Sequence, residues 1–270
     1  MSEQTLPPIN ANKPQPVKRG AQAAVNGRRY EILIAKKCSA YKSPYLSIPF
    51  NTQKEDELGG CGSGVDIRLN WKSEGDISVE AKRPTPDWMQ MKLNNTEAGW
   101  LGSEKAVIPE KSRLLFNKIL SGLQLFSGKI PPFLLRNMTH EEWSAIKKAD
   151  TTFHDDYKTC PSDTISNLYR EKGCQYIQIS GKGLYHTGDD VCGFGVPKFE
   201  CEQQIRIRIK VHSRNIGGHT KLSVMAAAQP VDFSKIVASP YSLDGLKLTK
   251  VKGSVGEAKI WDLPTELVAF

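Results

Sequence analysis

Two stretches of alternating apolar and polar residues, 64–69 and 77–82, are the feature that most constrains the fold of this chain. Such alternation is typical of half-buried β-strands, and the polar, Gly-containing segment 72–76 between them suits the loop of a hairpin. Side chains two positions apart on a strand share a face, so Glu80 and Lys82 are predicted to lie together. Asp66 is predicted on the same polar face of the partner strand. The hairpin therefore predicts a cluster of two acids and a base.

This cluster suits metal-dependent phosphodiester chemistry. Mg²⁺ prefers carboxylate oxygens and keeps several waters, so one or two acids suffice when a substrate phosphate supplies further ligands. A bound metal lowers the pKa of its water and neutralises charge on the phosphate. A neighbouring lysine can orient the attacking water or stabilise the transition state. We therefore predict Mg²⁺ as cofactor, Asp66 and Glu80 as its ligands, and Lys82 as a third catalytic residue.

The arrangement of Asp66 followed by Glu80-Ala81-Lys82 on a strand resembles the PD-(D/E)XK nuclease superfamily, with Val65 at the position of the Pro. The resemblance implies a mixed central sheet flanked by helices, in an enzyme that cuts DNA with Mg²⁺. It also implies that Glu31, on a helix-like segment at residues 28–37, is a further acid of the site. Gln90 stands where many restriction-type members carry a glutamine shortly after the lysine.

The predicted fold class is α/β, a restriction-endonuclease-like core with additional C-terminal strands. Residues 1–20, which contain four prolines, are predicted to form a flexible arm. Residues 21–270 are predicted to form a single nuclease domain, with its core at about 21–180 and a strand-rich extension at about 181–270 for DNA recognition or dimerisation. Helices are predicted near 21–37, 104–126, 139–148 and 162–172, and a buried strand at 175–179. Thr139 and Glu142 resemble a capping box that opens the third of these helices.

The cleanest alternation in the chain lies at residues 204–212, with Arg206, Arg208, Lys210 and His212 on the polar face. Basic residues along one strand face form a candidate stripe for phosphate binding. The alternative is a solvated edge strand, because charges on edges also block aggregation. The segments 181–188 and 213–219 read as polar loops, and they add Lys182 and Arg214 to the predicted DNA contacts.

Composition agrees with this interpretation without proving it. The net charge of +8 and the pI of about 9.1 favour anionic partners such as nucleic acid. No apolar segment is long enough to span a membrane, so a cytoplasmic, intracellular protein without a membrane partner is expected. The six cysteines include no Cys-x-x-Cys pair, so they are expected to be reduced and to bind no structural zinc.

These observations favour an endonuclease that cleaves double-stranded DNA, of the type II restriction class. Such enzymes often act as homodimers, since a palindromic site presents the same edge twice. A repair, recombination or homing nuclease with the same core is an alternative, and RNA cleavage is another. A non-catalytic DNA-binding module, or an ordinary surface hairpin with a Glu/Lys pair, would give Asp66 no chemical role.

Overall fold

The structure is a computed structural model, which describes residues 15–16, 18–39, 65–70, 76–105, 108–214, 219–245, 247–250 and 259–262. The α-helices of this part of the chain are α1 (Lys18–Ser39), α2 (Glu110–Leu120), α3 (His140–Ala149) and α4 (Thr164–Glu171). The strands are β1 (Gln15–Pro16), β2 (Ile67–Asn70), β3 (Asp76–Lys82), β4 (Met89–Thr96), β5 (Gly99–Gly102), β6 (Asp156–Cys160), β7 (Tyr176–Ile179), β8 (Gly183–His186), β9 (Gln203–Arg214), β10 (Lys221–Pro230), β11 (Lys247–Lys250) and β12 (Lys259–Asp262).

The strands form two main sheets rather than one central sheet. The smaller sheet has the order β2-β3-β7-β8, and β3 runs parallel to β7 while the other pairs are antiparallel. The larger sheet is antiparallel, with the order β1-β9-β10-β4-β5 and β6 also paired with β9. The α/β class is confirmed. The C-terminal strands β9 and β10 join β4 in the larger sheet, so they do not extend the sheet that carries the predicted hairpin.

The smaller sheet is covered on both faces. Buried residues of β2, β3 and β7 on one face pack against Tyr30 and Ile34, which are four positions apart on α1. On the other face, Ile177 and Ile179 of β7 belong to the larger core together with Leu168 of α4. A parallel strand pair requires a crossover connection, and here α4 ends that connection directly before β7. The face of β3 that was predicted to be polar is therefore enclosed beneath α4.

The helices follow local signals closely. Thr139 and Glu142 form the predicted capping box at the start of α3, with Thr139 Oγ1 accepting from the Glu142 N–H at 3.2 Å. Helix α2 is shorter than the predicted 104–126, because it begins after Pro109 and ends at Leu120. Strand β7 lies within the predicted 175–179.

None of the helices in the described ranges is long and apolar enough to cross a membrane.

Three other expectations differ from the structure. The predicted loop 181–188 contains β8, a strand too short and too interrupted by glycine to show alternation. The edge-strand alternative for β9 is wrong, because β9 pairs with β10 on one side and with β6 and β1 on the other. Helix α1 begins within the predicted arm, at Lys18. Residues 1–14, the glycine-rich stretch before residue 65 and the hairpin loop 71–75 lie outside the described residues.

Candidate active site

The hairpin brings the three predicted residues together. The Lys82 ammonium lies 2.7 Å from Glu80 Oε1 and 3.9 Å from Asp66 Oδ2. Glu80 and Lys82 share a face of β3, as their spacing predicts. That face is buried rather than solvated, with Glu80 only 3% exposed. The predicted trio is therefore an enclosed charged cluster.

Asp66 reaches the cluster from just before β2, which begins at Ile67. Its Oδ2 accepts a hydrogen bond from the Ala81 backbone N–H at 2.9 Å, so the carboxylate is fixed to β3 between Glu80 and Lys82. Val65 packs against the larger core, whereas Ile67 belongs to the smaller one, so the predicted alternation does not extend back to Val65. Asp66 is positioned by this backbone hydrogen bond rather than by regular strand geometry.

A second lysine, which the sequence analysis missed, completes the cluster. The Lys172 ammonium lies 2.6 Å from Glu80 Oε2, so each oxygen of Glu80 contacts its own lysine. Lys172 is the C-cap of α4 and precedes Gly173, whose φ is +92°. A basic residue at a helix end next to a buried strand was the available signal. Nothing local links it to Glu80, which lies 92 residues earlier.

Tyr169 forms the floor beneath both ammonium groups. The centroid of its ring lies 5.4 Å from Lys82 Nζ and 5.9 Å from Lys172 Nζ, within the range of cation–π attraction. Its hydroxyl is buried and has no hydrogen-bond partner among the described residues. Cys174 Sγ approaches Glu80 Oε2 at 3.7 Å. The burial of this site strengthens every charge interaction within it.

Glu31 lies on α1, within electrostatic reach of the same cluster. Burial raises the pKa of its carboxyl, the positive charge of Lys82 opposes this rise, and the negative charge of Glu80 adds to it. Glu31 Oε2 is buried without a hydrogen-bond partner in the described part of the chain. The structure thus places the fourth predicted residue beside the cluster, with an acceptor atom unused. We refer to Glu31, Asp66, Glu80, Lys82 and Lys172 as the Glu80 centre.

The acids of the Glu80 centre have divergent pKa values. Burial, reinforced by the charge of Glu80, raises the pKa of Asp66 to about 7, and Lys82 offsets only part of that rise. Burial alone would also raise the pKa of Glu80, but Lys82 and Lys172 hold it below its ordinary value. For both lysines, burial lowers the pKa and the negative charge of Glu80 raises it. The pKa of each lysine is above its ordinary value. At neutral pH Glu80 is ionised and both lysines are protonated, while Asp66 is poised near its titration point.

These acids fit a hard divalent cation. Their donors are carboxylate oxygens, and Glu31 has a buried oxygen without a hydrogen-bond partner among the described residues. Additional positive charge would counter the rise in the pKa of Asp66 that burial and the charge of Glu80 cause. As the side chains stand, no three His, Cys, Asp or Glu residues in the described ranges form a group that could hold a metal ion. Mg²⁺ commonly uses only one or two carboxylates and completes its shell with water and phosphate. Asp66 and Glu80 would be those two.

The predicted basic stripe on β9 forms, but its arginines are paired within the protein. Arg208 Nη2 lies 2.6 Å from Asp87 Oδ2, and Arg206 contacts both Asp87 and Asp155. Asp87 is nearly buried and has a φ of +65°, a left-handed conformation that is uncommon for residues other than glycine. The sequence pattern located the arginines on one face but could not reveal their acidic partners. Among the described residues, Lys210 donates to the neutral Gln90, at 3.2 Å.

The remaining predicted DNA contacts lie away from the Glu80 centre or beyond what the structure describes. Gln90 lies on β4 in the larger sheet and hydrogen-bonds to Lys210 and the Asp87 carbonyl, so it stands beside the basic stripe rather than beside Lys82. The Lys182 ammonium donates to the carbonyls of Ser234 and Ile236, where it ties two loops together. The side chain of Arg214, at the end of β9, lies outside the described part. Their contact with DNA remains a prediction.

A positive field covers one end of the larger sheet. Burial lowers the pKa of His212, and the charges of Lys210, Lys221 and Lys92 lower it further. These lysines lie on three adjacent strands, β9, β10 and β4. We refer to Lys92, Lys210, His212 and Lys221 as the basic face.

The chain was compared with known proteins at three levels. No protein-family model matches it, and neither the curated proteins nor the solved structures contain a significant match. The case for a function therefore depends on the residues of the Glu80 centre and on the surfaces around it.

Proposed function

We propose that this protein is a Mg²⁺-dependent endonuclease that hydrolyses phosphodiester bonds of double-stranded DNA, of the type II restriction class and active as a homodimer. One observation carries the proposal: Asp66, Glu80 and Lys82 meet in an enclosed site, with Lys82 2.7 Å from Glu80 and 3.9 Å from Asp66. Two acids beside one lysine are side chains suited to metal-dependent phosphodiester hydrolysis.

Each residue of the site has a distinct role in this proposal. Asp66 and Glu80 would hold Mg²⁺, which supplies an activated water and neutralises charge on the phosphate. Lys82 lies beside both acids, and its protonated ammonium orients the attacking water or stabilises negative charge on the reacting phosphate. Glu31 would add an acceptor through its Oε2, which has no hydrogen-bond partner within the described ranges. The enclosed setting keeps these interactions strong by limiting solvent screening.

The charge balance favours this proposal over a purely structural ion pair. The structural pairs of the basic stripe are matched, since two arginines face two aspartates. In the Glu80 centre, three acids share two lysines, and both lysines contact the same acid. Asp66 is buried with a pKa raised to about 7, which lowers the stability of the fold at neutral pH. Such costly perturbation is more common at functional sites than in structural pairs.

The basic face supports DNA as the substrate. Its lysines are close enough to depress the pKa of His212, so the surface attracts anions. Phosphate contacts of this kind supply most of the sequence-independent affinity for DNA. Arg206 and Arg208 are better described as supports of this sheet, because their charges are neutralised by Asp87 and Asp155.

A plasmid cleavage assay tests the proposal. We would incubate the protein with a large duplex plasmid in Mg²⁺ or EDTA, beside the variants Asp66→Ala and Lys82→Ala. Lys198→Ala is the matched control, because Lys198 pairs with two acids elsewhere, at 3.2–3.3 Å from Asp163 and Glu200. Discrete fragments that require Mg²⁺ and are lost in the two site variants alone would support the proposal.

Other outcomes of this assay have defined meanings. A smear of products would replace the restriction class with a nonspecific or repair nuclease. An intact plasmid would call for branched DNA and RNA substrates in the same conditions. If these also stayed intact, the proposed enzymatic activity would be refuted.

A further inference from the structure

Lys172 is more than a neutralising partner for Glu80. Its side chain is 9% exposed, and its ammonium lies 2.6 Å from Glu80 Oε2. Glu80 Oε1 is already contacted by Lys82 at 2.7 Å, so one lysine satisfies the single charge of this acid. The second lysine occupies the only Glu80 oxygen that Lys82 leaves without an ion-pair contact.

The other two acids of the Glu80 centre have weaker contacts with positive charge. Asp66 lies 3.9 Å from Lys82, and Glu31 Oε2 has no hydrogen-bond partner among the described residues. The positive charge of the centre is thus concentrated on Glu80. A divalent cation held by Asp66 and Glu80 would meet the Lys172 ammonium on the same carboxylate, and the two cations would repel each other.

The position of Lys172 allows this contact to be released. Lys172 is the C-cap of α4, where the last helical carbonyls attract positive charge. The negative end of its own helix therefore favours this ammonium also when it has left Glu80. Lys82 lies on a strand rather than at a helix end, and it stands beside both Glu80 and Asp66.

We infer that Lys172 is a positioning residue that holds Glu80 Oε2 in the cation-free protein and competes with the divalent cation for that oxygen. This inference rests on the proposed function of the Glu80 centre. It gives the centre a built-in counter-ion, which holds Glu80 Oε2 in place until the cation arrives. Removal of Lys172 therefore tightens cation binding, whereas a purely structural contact would leave it unchanged or weaken it.

Calorimetric titration with Mg²⁺, in the absence of DNA, tests this competition. Lys172→Met should bind Mg²⁺ about tenfold more tightly than the unsubstituted protein, which is within the usual range of coupling between two sites. Lys172→Arg keeps the charge and should retain the original affinity. Lys198→Met removes a paired lysine away from the centre and should also leave the affinity unchanged. If Lys172→Met does not fold, Lys172→Gln replaces it, because Gln can donate to Glu80 without carrying charge.

The outcomes separate this inference from the function on which it rests. If the unsubstituted protein binds Mg²⁺ and cleaves DNA but the uncharged Lys172 variants bind no more tightly, the competition is refuted and the proposed function stands. If Asp66→Asn binds Mg²⁺ as well as the unsubstituted protein, the cation lies elsewhere and both are refuted. If the unsubstituted protein neither binds Mg²⁺ nor cleaves any nucleic acid, both are likewise refuted.

Discussion

Replacement of Asp66 by Asn should stabilise the cation-free protein at neutral pH. The folded protein holds the pKa of this carboxyl at about 7, against an ordinary value of 3.8, chiefly because of burial. The unfolded chain therefore loses its proton at a lower pH than the folded protein does. Between these two values the unfolded state binds fewer protons, so the stability of the unsubstituted protein falls as the pH rises.

The size of this effect follows from the same pKa values. The full difference between 3.8 and about 7 corresponds to a ceiling of about 4 kcal/mol, at about 1.4 kcal/mol for each pKa unit. About two of these units lie above pH 5. Asn cannot titrate, so its advantage over Asp should grow by about 3 kcal/mol between about pH 5 and about pH 8. Comparing two pH values removes the constant effects of the substitution.

Urea denaturation in EDTA, followed by circular dichroism, measures this change. Asp150→Asn is the matched control, because the hydrogen bonds that Asp150 accepts from Lys129 and Thr152 lower its pKa to about 2. The stability that Asp150 contributes is present above the ordinary pKa of an aspartate and is lost as the pH falls toward 2. The difference in stability between Asp150→Asn and the parent should therefore stay constant between pH 5 and 8. An Asp66→Asn protein that is less stable than the parent at pH 8, or an advantage that does not grow with pH, would refute the reasoning.

Three further substitutions test other parts of the structure. Glu80→Gln leaves two buried ammonium groups without their anion. The free energy of unfolding measured in urea should therefore fall by about 3 kcal/mol, and plasmid cleavage should be lost. Unchanged stability would contradict this prediction. Gly183→Ala places a Cβ 2.5 Å from the Tyr241 carbonyl oxygen at a φ of +106° and should lower the melting temperature more than Gly181→Ala, where the space is open. Lys210→Ala should weaken DNA binding and reduce the salt-dependence slope by about 1, as measured by fluorescence anisotropy, and an unchanged slope would remove Lys210 from the interface.

Local patterns explain what could be predicted of the site. The alternation in β3 is a short-range signal, so it identified Glu80 and Lys82 as neighbours on one face. Asp66 was identified by its place near the paired strand, although a backbone hydrogen bond from Ala81, rather than strand geometry, fixes its carboxylate. The capping box of α3 depends on four consecutive residues and was predicted for the same reason.

The missing parts depend on contacts between distant residues. Lys172 reaches Glu80 only because β7 pairs in parallel with β3, and no periodicity within either strand specifies that pairing. The alternation in β9 placed Arg206 and Arg208 on one face, but it contains no information on Asp87 and Asp155, which neutralise them. The burial of the Glu80 face has the same origin, because it depends on the helix that covers it.

The measurement that tests the central claim most directly is the anomalous diffraction of crystals grown or soaked with Mn²⁺, a divalent cation that can substitute for Mg²⁺ in oxygen-rich sites. We expect an anomalous peak from Mn²⁺ bound by the carboxylates of Asp66 and Glu80, with the Lys172 ammonium withdrawn from Glu80 Oε2. Saturating Mn²⁺ that gives no peak at these two carboxylates would contradict the claim that the Glu80 centre is a metal-dependent catalytic site.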